Sequence, residues 1–105
     1  MPMFQVHDVK EFSFAKFVIK VPVRTPQVQC RVYCLEPGQV LPVHQHQQAT
    51  DVFHVIEGVG ELTLGNDLRL VHPGAVILIP PAEDHGMANP GPKQLVFTSV
   101  YIPKH

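Results

Sequence analysis

The sequence predicts an all-β sandwich or barrel, and three observations carry that expectation. Apolar residues recur at every second position through most of the chain, eleven prolines and seven glycines cut it into short pieces, and no long stretch keeps a helical period free of both. With 105 residues and 45% hydrophobic content it is the size of one compact domain, expected to run over 1–105. Taken in order, Phe12, Phe14, Phe17, Ile19 and Val21, then Val28, Cys30, Val32 and Cys34, read as strands separated at Pro22 and Pro26. Glu36-Pro37-Gly38 ends a strand, and Leu41-Pro42-Val43 leads extended chain into His44, because proline disfavours helix in the residue before it. Asp51 to Ile56 is a β-branched and aromatic strand closing on Glu57-Gly58. A hairpin follows: Glu61 to Leu64, a turn at Gly65-Asn66-Asp67, and Leu68 to Val71. Pro73-Gly74 turns the chain into the strand Ala75 to Ile79, Pro80-Pro81 stops it, and residues 82–89 form a polar stretch holding His85. After the turn at Asn89-Pro90-Gly91-Pro92, Leu95 to Ile102 is the last strand.

Charge and composition exclude several classes of partner. The net charge is −1 and the eight Lys and Arg are scattered without a run, so no basic stripe for nucleic acid is present. Ala75 to Ile79, the longest aliphatic run, is far short of a membrane span, and MPMFQVHDVKEF lacks the basic start and apolar core of a signal peptide. A cytoplasmic protein is expected. Cys30 and Cys34 on one straight strand lie about 13 Å apart, too far to pair, and read as small buried hydrophobes.

The chemistry concentrates in Gly38 to Gly58, GQVLPVHQHQQATDVFHVIEG. If His44 and His46 lie on a strand, its two-residue period points both imidazoles to one face, roughly 6.6 Å apart, a spacing that suits two ligands of one ion. Asp51 follows a turn at residues 47–50 and can return a carboxylate from the neighbouring strand, and His85 is a third candidate histidine. His54 alternates to the face opposite Asp51 and reads as structural, while His7, His72 and His105 read as solvated. Arg31 and Tyr33 share a strand face with Gln29 and Leu35. If that face looks inward, Arg31 can bind a substrate carboxylate; outward, the ordinary placement of an unpaired arginine, it is a surface or dimer residue.

Two motifs carry a family resemblance. Gly38, His44, His46, Asp51 and Gly58, at their spacing over 38–58, resemble the first cupin motif, with aspartate where glutamate is usual. Gly74, Pro80, Ala82, His85 and Asn89, over 74–89, resemble the second, with alanine in place of its second glycine. The resemblance implies a jelly-roll (double-stranded β-helix) barrel in a single small cupin domain. It also implies one divalent metal per chain held by His44, His46, His85 and the acidic residue, and a homodimer. Three histidines and a carboxylate form a mixed nitrogen and oxygen donor set for iron, manganese, nickel or zinc. Asp51 is one methylene shorter than glutamate, so it is expected to lie beyond direct coordination or to bind through water.

No nucleophile beside a base, no phosphate-cradling loop and no second acid pair appears, so any chemistry runs through the metal. Two functions of different class follow. One is a metal-dependent enzyme, for example of the oxygenase type, acting on a small organic molecule inside the barrel. The other is a non-catalytic metal-containing binding or stress protein; further polar groups aimed into the barrel would favour the enzyme.

Overall fold

Alternating apolar residues need two surfaces to close on, and here they find them in two facing antiparallel sheets. The structure is a computed structural model describing residues 2–104, so His105 lies outside the described residues. Strands are numbered in chain order. One sheet holds, side by side, β1 (Val18–Arg24), β2 (Gln29–Leu35), β9 (Leu95–Pro103), β4 (Ala49–Glu57) and β7 (Val76–Ile79). The other holds β3 (Val40–His44), β8 (His85–Ala88), β5 (Gly60–Leu64) and β6 (Asp67–Val71). This is the expected double-stranded β-helix.

The inner face of the five-stranded sheet is polar at one end and apolar deeper in. Register sets Gln29 opposite Tyr101 and Tyr101 opposite Asp51; the next inward row is Arg31, Ser99 and Phe53, and the next is Tyr33, Phe97 and Val55. From the third row on, the interior is close-packed: Tyr33 stacks on Phe97 with ring centroids 4.7 Å apart, and Phe53 lies against Phe97 at 4.9 Å. Leu41, Leu62, Val71 and Met87 close this core from the other sheet. Burying each such side chain stabilises the fold by about 1.5–3 kcal/mol, so the deep end supplies rigidity and the polar end is left for chemistry.

The same sheet is also covered on its outer face. Val32, Cys34 and Val96 are fully buried beneath Phe4, Val6, Val9 and Phe12 of the N-terminal segment, which includes one helical turn, α1 (Val6–Val9). Lys10 Nζ ties it down 2.6 Å from Glu57 Oε1. Cys34 is the buried hydrophobe expected, and burial raises its thiol pKa, which keeps it unreactive.

Several boundaries differ from the sequence expectation. Phe12 and Phe14 precede β1 instead of belonging to a strand, and Phe14 is 90% exposed. Pro22 does not end β1: the strand runs through it because β1 is a sheet edge whose pairing with β2 slips between Lys20 and Val23, where no N–H is required. Leu68 and Leu70 do not join Leu62 inside. Pairing Leu62 with Arg69 and Leu64 with Asp67 places them on the opposite face, exposed.

Within the expected polar loop lies β8. Its polar composition hides the strand, and Gly86 explains it: a Cβ there would sit 2.9 Å from the Leu41 carbonyl oxygen, so only glycine lets β8 pass so close to β3.

Candidate metal centre

The two short strands β3 and β8 bring the histidines together. His44, the last residue of β3, pairs directly across the ladder with His85, the first of β8. His46 lies just past the end of β3, and its carbonyl accepts a hydrogen bond of 2.9 Å from the Ala82 N–H, which fastens it to the segment leading into β8. Only His44 is therefore on the strand; the chain's turn, not a shared strand face, delivers His46. The ring centroids are 4.9 Å apart for His44 and His46, 4.2 Å for His44 and His85, and 5.2 Å for His46 and His85. One nitrogen from each of the three rings lies within 4.8 Å of the others.

Hydrogen bonding sets which nitrogens face the cluster. His44 Nδ1 lies 2.8 Å from the Pro42 carbonyl oxygen, and His85 Nδ1 lies 2.9 Å from that of Glu83. A carbonyl oxygen can only accept, so each Nδ1 carries the hydrogen and each Nε2 keeps a free lone pair. This is the arrangement in which a metal-binding imidazole is held by its other nitrogen. The Nε2 atoms of His46 and His85 are buried without a hydrogen-bond partner, an uncommon state for a buried polar atom that an ion would relieve.

Electrostatics point the same way. Burial lowers the pKa of His46, and the neighbouring His44 and His85 lower it further; burial likewise lowers that of His85 against the opposing bond to Glu83. Both rings are thus kept neutral, the form that donates a lone pair. Orphaned nitrogens, fixed tautomers and a neutral donor set fit a divalent transition ion.

Asp51 stands beside this cluster but outside it. Its carboxyl group is almost wholly buried, with Oδ1 accepting a hydrogen bond from the Ser99 hydroxyl and Oδ2 4.0 Å from His46 Nε2. His54, one strand face away, is exposed, as alternation predicts.

Arg31 and Tyr33 turn out to be on the inner face, against the ordinary expectation for an unpaired arginine. The reason is the register of β2 with β9, which aligns Gln29, Arg31, Tyr33 and Leu35 with the inward Tyr101, Ser99, Phe97 and Leu95. Tyr33 is part of the aromatic core, and burial raises its phenol pKa although the adjacent Arg31 opposes this. Arg31 is half-buried, its guanidinium carbon 4.2 Å from the centre of the Tyr101 ring, which in turn lies 5.0 Å from His46.

Tyr101 and Ser99 were not singled out by sequence reasoning. Their only signal is that they are the polar members of the inward set Leu95, Phe97, Ser99 and Tyr101 in a strand otherwise read as apolar.

Comparison with known proteins supports the fold. The crystal structure of a Thermus thermophilus protein superposes over 100% of both chains, with a TM-score of 0.94 at 22% identity, which speaks for the fold alone. A conserved protein with a double-stranded β-helix domain from Klebsiella pneumoniae is 28% identical, with a TM-score of 0.91 over 98% of this chain and 85% of that one. Among curated proteins, the mannose-1-phosphate guanylyltransferase of Sinorhizobium fredii is 26% identical over 72 residues, or 69% of this chain and 14% of the enzyme. The chain thus corresponds to a small part of that enzyme's length. The cupin-domain family model matches residues 31–101, a span that includes His44, His46, Asp51 and His85, and the chain belongs to the cupin family.

Proposed function

We propose that this cupin binds one divalent transition metal ion per chain through His44, His46 and His85, and that it is an enzyme acting on a small organic molecule at the polar end of the barrel. The observation that carries the reading is the pair of buried, unpartnered Nε2 atoms on His46 and His85, with His44 beside them. A bound ion would supply Lewis acidity, a nucleophilic water, or dioxygen chemistry if the metal is redox-active.

The chain's own residues do the rest. Pro42 and Glu83 carbonyl groups orient His44 and His85, Ser99 fixes Asp51, and the carboxylate of Asp51 beside His46 offsets positive charge and can accept a proton from a bound molecule. Three protein ligands leave other coordination positions open to substrate or water. Tyr101 and Arg31 supply an aromatic surface and a cation next to that opening.

A second reading, a metal-containing binding protein without turnover, draws on Asp51. Its Oδ1 is already engaged by the Ser99 hydroxyl, which leaves Oδ2, turned to His46, as the only oxygen of this carboxylate open to a bound molecule. Elemental analysis of the purified chain, followed by aerobic and anaerobic screens of small organic molecules with the identified metal restored, separates the two. Metal-dependent turnover supports the enzyme; stoichiometric metal with binding but no turnover supports the second reading, and absence of any bound metal rejects both.

A further inference from the structure

Arg31 makes no ion pair among the described residues, although it is half-buried next to the candidate metal site. What it does contact is neutral. Its Nε and Nη2 both donate to Gln29 Oε1, at 3.2 and 3.0 Å, and its guanidinium carbon lies over the Tyr101 ring. An amide oxygen and an aromatic face orient a guanidinium without cancelling its charge. One edge of the fork is pinned by Gln29 and the neutral Tyr33 hydroxyl stands beside the guanidinium, while no carboxylate among the described residues engages the hydrogens on Nη1.

The Tyr101 ring touches both this fork and His46. The inward residues of β2, β9 and β4 at this end are Gln29, Arg31, Ser99, Tyr101, Asp51 and Phe53, and Arg31 is the only cation of that set. Asp51 makes no ion pair with it: Oδ1 is held by the Ser99 hydroxyl and Oδ2 faces His46.

Building on the metal reading above, we infer that Arg31 is the anion-binding residue of the same site, and that the molecule bound there carries a carboxylate. A planar, two-oxygen carboxylate meets the remaining edge of one guanidinium fork with two parallel hydrogen bonds, and its single charge is matched by that of Arg31. Tyr101 then lies along the body of the ligand, and the end opposite the carboxylate is directed to the ion.

The test is titration of the full chain, metal-free and zinc-loaded, with glycolate, with its neutral amide and with inorganic phosphate, in wild type, Arg31→Gln and Arg31→Lys. Glycolate binding is expected to weaken about tenfold or more in Arg31→Gln and to recover in part in Arg31→Lys, with zinc affinity and binding of the amide unchanged. Glycolate affinity equal in wild type and Arg31→Gln, or no glycolate binding to either, overturns the inference. Phosphate binding that is tighter than glycolate and equally dependent on Arg31 overturns the carboxylate assignment. A chain that holds no zinc yet binds glycolate through Arg31 supports the anion site and refutes the metal reading alone.

Discussion

The residues of the histidine cluster carry a consequence for stability as well as for binding. Burial holds His46 and His85 below the ordinary histidine value of 6.5. As the pH falls through that value the unfolded chain takes up protons on both rings, while the folded, metal-free protein keeps them neutral to lower pH. Between the two values the unfolded state binds more protons, so stability declines as the pH drops below about 6.5 and levels off once the folded-state rings protonate as well. Urea midpoints of the metal-free protein at about pH 7.5 and about pH 5.5 should show this decline, and the double variant His46→Gln, His85→Gln should lose much of it. A midpoint that rises toward acid in the wild type and not in the variant would contradict the assignment. Asp51 yields a second expectation at this scale. Held by Ser99 and 4.0 Å from His46 Nε2, it should support the site indirectly. Asp51→Ala is expected to weaken metal binding by no more than roughly ten- to a hundredfold, and Asp51→Glu to bind as well or more tightly. Damage from Asp51→Ala equal to that of His46→Ala would place aspartate directly on the ion.

At the scale of elements, glycines decide where strands approach one another. Gly58, which closes β4, has φ +78° and a Cβ there would run into the Gln94 carbonyl oxygen, while Gly74, with φ +96°, has open space around it. Gly74→Ala should cost about 1 kcal/mol from the left-handed backbone alone, and Gly58→Ala at least twice that, which for a domain of this size separates their melting temperatures by roughly 4–8 °C or more. Equal melting temperatures would mean that β9 yields to the added methyl group. The same scale shows what the sequence can and cannot reveal. Strands β2, β4 and β9 were legible because their apolar residues form long runs largely buried in the core, and the four-residue β7 because its unbroken aliphatic run sits between Pro73-Gly74 and Pro80-Pro81. Strand β8 was not, since His85 and Gly86 are chosen for the site and for close backbone approach instead of for β propensity. The direction in which Arg31 points was equally hidden: it depends on the pairing of β2 with β9, a long-range register that local alternation leaves open. His44, His46 and His85 were legible as candidates from spacing, whereas Ser99 and Tyr101 become visible only once β9 is seen lying between β2 and β4.

For the whole molecule, the apolar core between the sheets meets the histidines at Phe53, against His85, and extends beyond it through Tyr33, Phe97, Val55 and Leu35, so the fold should persist without metal. Mild chelation is expected to leave far-UV circular dichroism unchanged; its collapse would make the ion a structural one. Among the described residues no helix is long and apolar enough to cross a membrane. We propose that the chain forms a homodimer through its N-terminal region, where Phe14 is 90%, Met3 62% and Ile19 44% exposed beside the edge strand β1. Sedimentation equilibrium at tens of micromolar protein should give twice the 11.7 kDa chain mass, and the monomer mass would reject the pairing. The central claim is that three histidines make this barrel a metal protein. Its most direct test is a competition titration of zinc against a chromophoric chelator, with wild type beside His46→Ala and the triple variant of His44, His46 and His85. The expected result is one ion per wild-type chain, affinity lowered more than about a hundredfold in His46→Ala, and no stoichiometric binding in the triple variant. Wild-type occupancy and affinity retained by the triple variant would contradict the account.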